Sequence, residues 1–599
     1  MYSINKNVFL TFCIFNLLHL LIASNIKINN QTNIAYLEEN ETNQTEQTDS
    51  YNYSYNLSDN LSDNLKSASS RQLTIAQAIT VGPIIGKATS TTVRILVEFK
   101  ITGDVTMTLT EDGTTNVFSK SYAVIANTPI VFSFSNLLSY KKYLVSTTAN
   151  TVELSTVSGY QSSFRTLKGD FATMNDFNVI FLSCNDVRYS EQLQPTVLGN
   201  AQLWGNLARK AKNGEIDFIF HIGDQIYADH DIWNGNTDNV YYKVKTLLAS
   251  VSYTAFSGYT ETIRELLRAE YRRSWTYKTT AETLSLVPNL MIFDDHEFMN
   301  NFAFNSSVFD TTSIDYFYVK QARYVYYQYQ RQLREDIDFV NFENTKDEYY
   351  IEIMNEIGFF VMDYRGPKVW HKSILDNSSV DQLGYTQYQS VVEAFSKNGT
   401  FKDVKAAVLV STLPLLFVST AMAQVVGIVM EDMKENWAYA YEDELITLLD
   451  IVRTWKDEKV GRQLLFVGGD VHLAGYTEVF YKKQPLGRQL VSTGINQVKL
   501  ASCEILAIKA GIYLNDALSG NEYTYVHHDW VGQKNYGTVK FQRSILRSNE
   551  TDITMFLTVS DSVKSITDLI TVNNRVFTHN ASMIKFSLVS MMLILLYFV

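Results

Sequence analysis

The stretch Asp217–Asp229, "DFIFHIGDQIYAD", decides the fold class and raises the first functional question. An apolar run from Phe218 to Ile222 stops at Gly223, and Asp224 and Tyr227 follow it. A buried strand normally ends in turn residues that solvate the chain, whereas this one ends in a carboxylate and a phenol. The run therefore predicts a buried strand whose end carries chemically reactive side chains.

The same kind of ending follows three other apolar runs. These are "DFNVIFLSCND" (176–186), "VPNLMIFDDHEFMNN" (287–301) and "RQLLFVGGDVHL" (462–473). The carboxyl ends of strands in open α/β sheets form the crevice where ligands bind, so we expect the four endings to meet. Carboxylate, imidazole, phenolate and thiolate groups are metal ligands, and crowded carboxylates repel one another unless cations lie between them. The pattern predicts a metal site with two or more ions.

Each ending taken alone also has an ordinary explanation. A Gly-Asp pair after a strand is commonly a turn, Asp294 and Asp295 could cap a helix, and His221 could be a satisfied core residue. A buried cysteine such as Cys184 often behaves as a small hydrophobic residue. The coincidence of four such endings favours the metal site over four separate structural explanations.

The chain divides by pattern into two folded parts. Short alternating runs with an Asp112-Gly113 turn predict an antiparallel β-sandwich of the immunoglobulin or fibronectin type over 70–168. From 169 to 547, apolar strand runs alternate with longer helical segments, which predicts an α/β (α+β) domain built on mixed sheets.

Both ends of the chain resemble targeting signals. Residues 1–24 have the pattern of a secretory signal peptide, and 25–69 predict a disordered, glycosylated stalk. We interpret 548–582 as a linker and 583–599 as a GPI-type signal or a membrane-anchoring tail helix. This places the protein in the secretory pathway, at the cell surface, membrane-anchored or extracellular.

Composition excludes some classes of partner and of scaffold. The 599-residue chain is 46% hydrophobic with a net charge of -12, so it contains no basic nucleic-acid module. Three cysteines in a chain of this length do not make a disulfide scaffold, although Cys184 and Cys503 could pair. The oligomeric state is left open by the sequence.

The blocks "SCND", "GDQIYAD", "DDHE" with "NN", and "GGDVH", in this order, resemble the calcineurin-like metallophosphoesterase superfamily. Within it they resemble the PhoD-like alkaline phosphatase (alkaline phosphatase D) family, and "VMDYRG" and "VLVSTLPL" match further blocks. The resemblance covers roughly residues 75–540. It implies a four-layer sandwich with mixed β-sheets, preceded by a small antiparallel β-sandwich domain.

The resemblance also implies a ligand set. It places a ferric ion (Fe3+) among five side chains, Cys184, Asp224, Tyr227, Asp470 and His472. It further implies that Asp224 bridges to one or more calcium ions (Ca2+) that Asp295 and Asn300 help to hold. The residue types by themselves leave zinc, manganese and magnesium open.

The predicted activity is hydrolysis of a small phosphate-ester substrate by a metal-activated water. His296, beside Asp295, is the predicted contact to the phosphoryl oxygen or the leaving alkoxide, with Glu297 orienting its ring. Arg272 or Arg365 could fork onto a phosphate oxygen, or each could form an ordinary ion pair. The alternative function is a surface binding or adhesion protein that keeps the fold without chemistry.

Overall fold

The computed structural model describes most of the chain from residue 77 onward. The described ranges are 77–169, 176–188, 201–230, 237–303, 306–344, 347–370, 382–419, 423, 435–437, 441–496, 518, 522–543, 551–560 and 567–572. The predicted signal peptide (1–24), stalk (25–69) and C-terminal anchor (583–599) lie outside these residues. The described residues all belong to one compact unit, and the predicted boundary at 168 stays a prediction.

The strands are β1 Ile79–Ala88, β2 Val93–Phe99, β3 Gly103–Glu111, β4 Val117–Val124, β5 Pro129–Phe134, β6 Lys142–Ala149, β7 Val152–Glu153, β8 Ser163–Arg165, β9 Phe177–Leu182, β10 Phe218–Ile222, β11 Asn289–Ile292, β12 Tyr350–Met354, β13 Ile357–Val361, β14 Ala406–Val410, β15 Gln463–Gly468, β16 Ala474–Tyr481, β17 Gln484–Val491, β18 Tyr523–Val531, β19 Lys534–Arg543, β20 Thr551–Ser560 and β21 Thr567–Val572. The α-helices are α1 Ala201–Lys212, α2 Val240–Leu248, α3 Thr260–Trp275, α4 Lys278–Leu284, α5 Ile314–Tyr329, α6 Gly366–Trp370, α7 Gly384–Ala394 and α8 Glu442–Glu458. Short 3-10 helices cover Tyr253–Tyr259, Ser306–Phe309, Arg331–Leu333 and Phe342–Asn344.

The first eight strands form two antiparallel sheets. One has the order β1-β2-β5, and the other has the order β4-β3-β6-β7 with β8 paired to β6. Alternate residues of β3, such as Val105, Met107 and Leu109, are fully buried, which is the two-residue period of a half-buried strand. They share a core with Ile95 and Phe132 of the other sheet. The buried residues of the alternating pattern are therefore those that face the opposite sheet.

Two larger sheets follow, and both are mixed. The six-stranded sheet has the order β11-β10-β9-β19-β20-β21, with β9, β10 and β11 parallel. The seven-stranded sheet has the order β12-β13-β14-β15-β17-β16-β18, with β13, β14, β15 and β17 parallel. The predicted α/β architecture with mixed sheets is confirmed.

An apolar core joins the two mixed sheets. Phe181 and Phe220 of one sheet lie in the same cluster as Phe359, Val408 and Leu465 of the other. Burial of each such side chain stabilises the fold by about 1.5–3 kcal/mol. Strands β10, β13 and β14 are buried on both faces, which explains their nearly continuous apolar sequences.

Helices cover the outer faces of these sheets. Helix α1 packs Trp204 and Leu207 against Ile180 of β9. Helix α8 buries an apolar stripe, Leu445, Leu448, Leu449, Val452 and Trp455, against the seven-stranded sheet. Residues spaced three and four apart share one face of a helix, so this spacing makes α8 a covering helix. Among the described residues, no helix combines the length and hydrophobicity needed to span a membrane.

The predicted C-terminal boundary of the folded domain at residue 547 is wrong. The predicted linker 548–582 contains β20 and β21, which extend the six-stranded sheet beyond β19. Met555, Leu557 and Val559 lie at alternate positions of β20 and are buried. This two-residue period is a strand signal, and it extends the folded domain past residue 547.

Candidate metal centre

The four polar strand endings meet at one place. Strands β9, β10 and β11 are parallel neighbours, so their carboxyl ends lie side by side. The end of β15, from the other sheet, reaches the same point. The Tyr227 hydroxyl lies 3.3 Å from Asp224 Oδ2 and 3.4 Å from His472 Nε2. Residues almost 250 positions apart in the sequence thus share one cluster, as the strand-end pattern predicts.

The backbone is strained at these endings. Cys184 (φ 56°), Asp224 (φ 56°), Asp470 (φ 62°) and His472 (φ 51°) all have left-handed backbone conformations. This conformation costs a residue with a side chain roughly 1–2 kcal/mol. Such strain persists where the surrounding structure over-determines it, and it clusters at functional sites. Four strained non-glycine residues in one cluster indicate that their side-chain directions matter.

Two glycines allow the strand ends to approach closely. A Cβ atom on Gly223, whose φ is 99°, would lie 2.5 Å from the Cβ of Asp294. A Cβ atom on Gly469 would lie 2.8 Å from Ser183 Oγ and 3.0 Å from the carbonyl oxygen of Thr412. These separations are far below van der Waals contact, so any larger residue would push the endings apart.

Carboxylates dominate the cluster. Asp224, Asp294, Asp295 and Asp470 each offer an oxygen within 4.8 Å of the others, and Asp224 and Asp295 form a second such group with His296. Burial raises the pKa of Asp224 well above its usual value, and the neighbouring thiol and carboxylates add to the shift. Burial likewise raises the pKa of Asp470, followed by repulsion from Asp294 and Asp295. The aspartates are therefore held at a cost that a bound cation would remove.

Two of the carboxylate oxygens accept no hydrogen bond from the part of the chain that the structure describes. They are Asp294 Oδ2 and Asp295 Oδ1, and both are buried; Arg365 Nη2 pairs with Asp295 Oδ1 only at the long distance of 3.4 Å. A buried carboxylate oxygen without a donor costs free energy. Because oxygen atoms of this kind are also ligands for hard cations, the donor set fits bound metal ions.

Cys184 is a buried free thiol, and Cys503 lies outside the described residues. Its Sγ lies 2.9 Å from Thr493 Oγ1, 3.5 Å from Asp224 Oδ2 and 3.8 Å from the carbonyl oxygen of Asp470. Burial, and then the Asp470 charge, raise the pKa of the thiol to about 12. These surroundings favour the thiol form of Cys184, and a nearby cation would favour the thiolate.

His472 and Tyr227 face each other in the cluster. Burial, and then the charge of His296, lower the pKa of His472 to about 3, so its ring is neutral. Neutral imidazole is the form that binds metals. Burial raises the pKa of Tyr227 well above its usual value, and the neighbouring Cys184 and Asp224 raise it further. His472 is thus in its metal-binding form, whereas Tyr227 is a phenol that would act as a phenolate ligand only beside a cation.

The ring of His296 pairs with Asp229, not with Glu297. Its Nδ1 lies 2.7 Å from Asp229 Oδ1, and its ring stacks on Tyr227 with centroids 4.1 Å apart. Burial lowers the pKa of His296, but the charges of Asp229 and Asp295 outweigh it and raise the pKa to about 10. The prediction that Glu297 orients this ring is wrong, because Asp229 occupies that position.

Glu297 instead connects the strand endings. Its carboxylate accepts the backbone N–H groups of Asp224 at 3.0 Å, Gln225 at 2.6 Å and Asp294 at 2.9 Å. It also accepts the side-chain amide of Gln330 at 2.9 Å. Burial raises its pKa to about 7 in spite of these donors. Glu297 thus fixes the ends of β10 and β11 and makes no contact with the imidazole through its carboxylate.

The two asparagines after the "DDHE" block enter the site through their backbone. The N–H of Asn300 donates to Asp229 Oδ2 at 2.5 Å, and the N–H of Asn301 donates to Asp295 Oδ2 at 2.7 Å. Asn301 adopts a left-handed φ of 55°. The side chain of Asn300 as a calcium ligand stays a prediction.

Arg365 is fully buried beside the aspartates. Its Nε lies 2.6 Å from Asp294 Oδ1, and its Nη1 lies 2.7 Å from Glu435 Oε2. Its Nη2 lies 3.4 Å from one oxygen of Asp295 and 3.4 Å from one of Asp470. Four carboxylates therefore occupy the guanidinium, and the prediction that it forks onto a phosphate is wrong.

Arg272 is also occupied. Its guanidinium pairs with the buried Glu98 at 2.7 Å and with Glu265 of its own helix. The ion-pair alternative is confirmed for Arg272, as it is for Arg365. Neither arginine is available as a phosphate contact in this structure.

Three further residues belong to the cluster and are not among the predicted site residues. Asp229 ends the "GDQIYAD" block, Thr412 follows β14, and Thr493 follows β17. The Thr412 hydroxyl donates to Asp294 Oδ1 at 2.8 Å. The strand-end rule used for the four endings would have found both threonines, had it been applied to every parallel strand.

The match to a known protein family covers the part of the chain that contains the cluster. A family profile described as PhoD-like phosphatase matches residues 179–543. A solved structure described as PhoD is 14% identical with a TM-score of 0.54, and the match covers 84% of this chain and 93% of that chain. A purple acid phosphatase from yellow lupin (Lupinus luteus) seeds is 10% identical with a TM-score of 0.45, over 81% of this chain and 73% of that one. No curated protein sequence matches the chain.

Proposed function

Because the chain belongs to the PhoD-like phosphatase family, we propose that it is a metal-dependent hydrolase of phosphate esters. One observation carries this proposal. Asp224, Asp295 and Asp470 come from three strand ends in two sheets and lie close enough to share cations. An adhesion protein that had lost its chemistry would have no need to keep these aspartates crowded together at this cost.

Five side chains would hold a ferric ion, namely Cys184, Asp224, Tyr227, Asp470 and His472. Asp224, Asp295 and Asn300 would hold calcium beside it. When bound, such ions supply an activated water and neutralise charge on the phosphoryl oxygens. The phenol and the carboxylates suit a hard, highly charged ion next to a second oxygen-liganded one, and the thiol is compatible with iron.

His296 is the residue that would act on the substrate. With a pKa of about 10 its imidazole carries a proton at neutral pH. Asp229 binds Nδ1, so Nε2 is the atom left to donate to a phosphoryl oxygen or to the leaving alkoxide. The Tyr227 ring, stacked at 4.1 Å, fixes the plane of the imidazole. Asp295, the neighbouring residue, would place the metal next to this proton donor.

The finer architecture and the location of the protein are part of the same proposal. Helices α1 and α8 on the outer faces of the two mixed sheets support a four-layer sandwich. The two antiparallel sheets over residues 79–165 support a separate immunoglobulin-like domain in front of it. The apolar segments at both ends of the sequence support export and membrane anchoring. Release of the protein from cells by a phosphoinositide-cleaving lipase would identify a GPI anchor.

The decisive experiment combines metal analysis with turnover. Purified protein should contain iron and calcium by elemental analysis and should hydrolyse p-nitrophenyl phosphate or its bis-ester. Chelation should abolish hydrolysis, and His472→Ala should do the same. His528→Ala is the matched control, since His528 pairs with Glu478 at 3.2 Å away from the cluster.

Two outcomes would contradict the proposal. Full activity in protein free of metal would exclude the metal-dependent chemistry. Bound metal without turnover of any mono- or diester would favour the adhesion alternative. The relative rates on the two p-nitrophenyl esters would distinguish a monoesterase from a diesterase.

A further inference from the structure

Arg365 connects candidate metal ligands that belong to different sheets. It follows β13 of the seven-stranded sheet, and its side chain is fully buried. Asp294 and Asp295 follow β11 of the six-stranded sheet, whereas Asp470 follows β15 of the seven-stranded one. A single guanidinium therefore touches the carboxylates of both sheets at the point where the strand ends meet.

Different nitrogen atoms of the guanidinium contact different aspartates. Nε and the Thr412 hydroxyl both bind Asp294 Oδ1, at 2.6 and 2.8 Å, so this oxygen is fully engaged by the protein. Nη2 lies between Asp295 and Asp470, 3.4 Å from an oxygen of each. The distance of 3.4 Å is long for a charge-assisted hydrogen bond. Nη2 thus sets the separation of these two aspartates without saturating either of them.

Glu435 fixes the remaining side of the guanidinium. Its Oε2 lies 2.7 Å from Nη1, and it belongs to the segment between β14 and α8. With Asp294 on one side and Glu435 on the other, the plane of the guanidinium cannot rotate. The separation between Asp295 and Asp470 is therefore determined by a rigid group.

We propose that Arg365 is a positioning residue that holds Asp295 and Asp470 at the separation that bound cations require. This inference rests on the proposed metal-dependent function. A planar fork with five N–H donors can contact several carboxylates in fixed directions, and a lysine ammonium of equal charge cannot. The role of Arg365 is thus geometric, and its charge alone does not fulfil it.

Substitution by lysine separates the two roles. Arg365→Lys keeps the positive charge, so the electrostatic potential at the cation site is nearly unchanged. It removes the fork, so Asp295 and Asp470 lose their common partner. Loss of a residue that orients metal ligands typically weakens metal affinity about 10–100-fold. A residue that supplies only charge would leave the affinity as it was.

The experiment is calcium binding to the full-length protein after chelator treatment, measured by calorimetry with calcium chloride. We expect Arg365→Lys to raise the Kd for Ca2+ at least about tenfold. Added Ca2+ should then restore hydrolysis of p-nitrophenyl phosphate by this variant at concentrations where the wild type is already saturated. A purely structural role would lower the thermal stability of the protein without changing this Kd.

Arg272→Lys is the matched control. Like Arg365, Arg272 forms ion pairs with several carboxylates, but these belong to Glu98 and Glu265, which are not predicted metal ligands. Its Kd should stay within about twofold of the wild type. Glu435→Gln provides a second, milder variant that keeps Arg365 and every aspartate. It should weaken Ca2+ binding less than Arg365→Lys, and it answers the question if the lysine variant does not fold.

Several outcomes would overturn the inference. A Ca2+ titration of Arg365→Lys that coincides with the wild type excludes a positioning role, and so does equal weakening by Arg272→Lys. If the lysine variant does not fold, an unchanged Ca2+ affinity in Glu435→Gln likewise excludes a positioning role for Arg365. Absence of metal binding in the wild-type protein would instead overturn the proposed function, and this inference with it.

Discussion

Strand β10 has an aspartate at each end, and only one of them belongs to a site. Asp217 precedes the strand and Asp224 follows it. Burial raises the pKa of both, that of Asp217 to about 6 and that of Asp224 well above its usual value. Asp217 accepts a backbone N–H from Asn178 at 2.8 Å, whereas Asp224 faces a thiol, a phenol and other carboxylates. Burial of a carboxylate is therefore a weak indication of function, and convergence of several is a strong one.

Backbone strain shows the same contrast between regions. In the N-terminal sheets the left-handed residues include Asn127, Asn136 and Asn150, all of them exposed. Asparagine tolerates this conformation in turns. At the carboxyl end of β9 the left-handed residue is Cys184, a residue type that rarely adopts this conformation. There the chemistry of the side chain, and not the ease of the turn, determines which residue is present.

The largest effect is expected from removing the carboxylate at the functional end of β10. Asp224→Asn should lower kcat/KM about 10³-fold, because loss of metal assistance costs several kcal/mol and each 1.4 kcal/mol is a factor of ten. The measurement is steady-state hydrolysis of p-nitrophenyl phosphate, together with metal content by elemental analysis.

Asp217→Asn is the control at the other end of the same strand. It should leave kcat/KM within about twofold, since substitutions away from such sites change little. Equal losses of kcat/KM in Asp217→Asn and Asp224→Asn would mean that the activity depends on the integrity of strand β10 and does not depend specifically on the aspartate cluster.

The next largest effect is expected for the partner of His296. Asp229→Asn should lower kcat about 10²-fold, within the range for general acid–base groups. Because Asp229 raises the pKa of His296, its loss should also move the alkaline limb of the pH–rate profile to lower pH. The measurement is kcat from pH 6 to 11.

The chain offers a matched pair for this test. His230 Nδ1 lies 2.7 Å from Asp186 Oδ2, and both residues are buried. Asp186→Asn disrupts an equivalent contact without touching His296, so it should leave the alkaline limb unchanged. A shift of equal size in both variants would show that the limb does not report His296.

A smaller effect is expected from the glycines that precede the two aspartates. Gly223 (φ 99°) and Gly214 (φ 70°) both have left-handed conformations, but a Cβ on Gly214 would meet nothing within 4 Å. Gly214→Ala should cost only the conformational penalty of about 1–2 kcal/mol. Gly223→Ala should cost about 1–3 kcal/mol more, because its Cβ is forced against Asp294.

Chemical denaturation measures the free energy of unfolding of both glycine variants. The hydrolysis rate should fall for Gly223→Ala and stay at the wild-type level for Gly214→Ala. Equal destabilisation by the two alanines would contradict the close approach of β10 and β11 at this point.

The parts that local sequence could predict are those with a local cause. The period of β3 and the apolar runs of β10 and β14 follow from burial alone, and the four endings follow from parallel strands sharing an edge. The His296–Asp229 pair could not be deduced from "DDHE", where Glu297 is the nearer carboxylate. Nor could the carboxylate partners of Arg365, since they are separated from it by 70 residues or more. Which carboxylate pairs with a given side chain depends on the path of the turns that follow each strand. The periodicity of the sequence does not predict the path of these turns.

The smallest effect concerns the pH dependence of stability at the non-functional end of β10. In the folded protein the pKa of Asp217 is raised to about 6 by burial, from 3.8. The folded state therefore binds the proton more tightly than the unfolded chain, so the ionised group destabilises the fold above about pH 6, and this penalty disappears as the pH falls below 4. One pKa unit corresponds to about 1.4 kcal/mol, and partial exposure of Asp217 reduces the penalty to about 1–3 kcal/mol.

Asp217→Asn should raise the free energy of unfolding by that amount at pH 8 and leave it unchanged at pH 4, measured by urea denaturation. Asp112→Asn, in an exposed turn, is the control and should change the free energy of unfolding by less than about 0.5 kcal/mol at either pH. If the wild-type protein were as stable as Asp217→Asn at pH 8, burial of the Asp217 carboxylate would cost nothing.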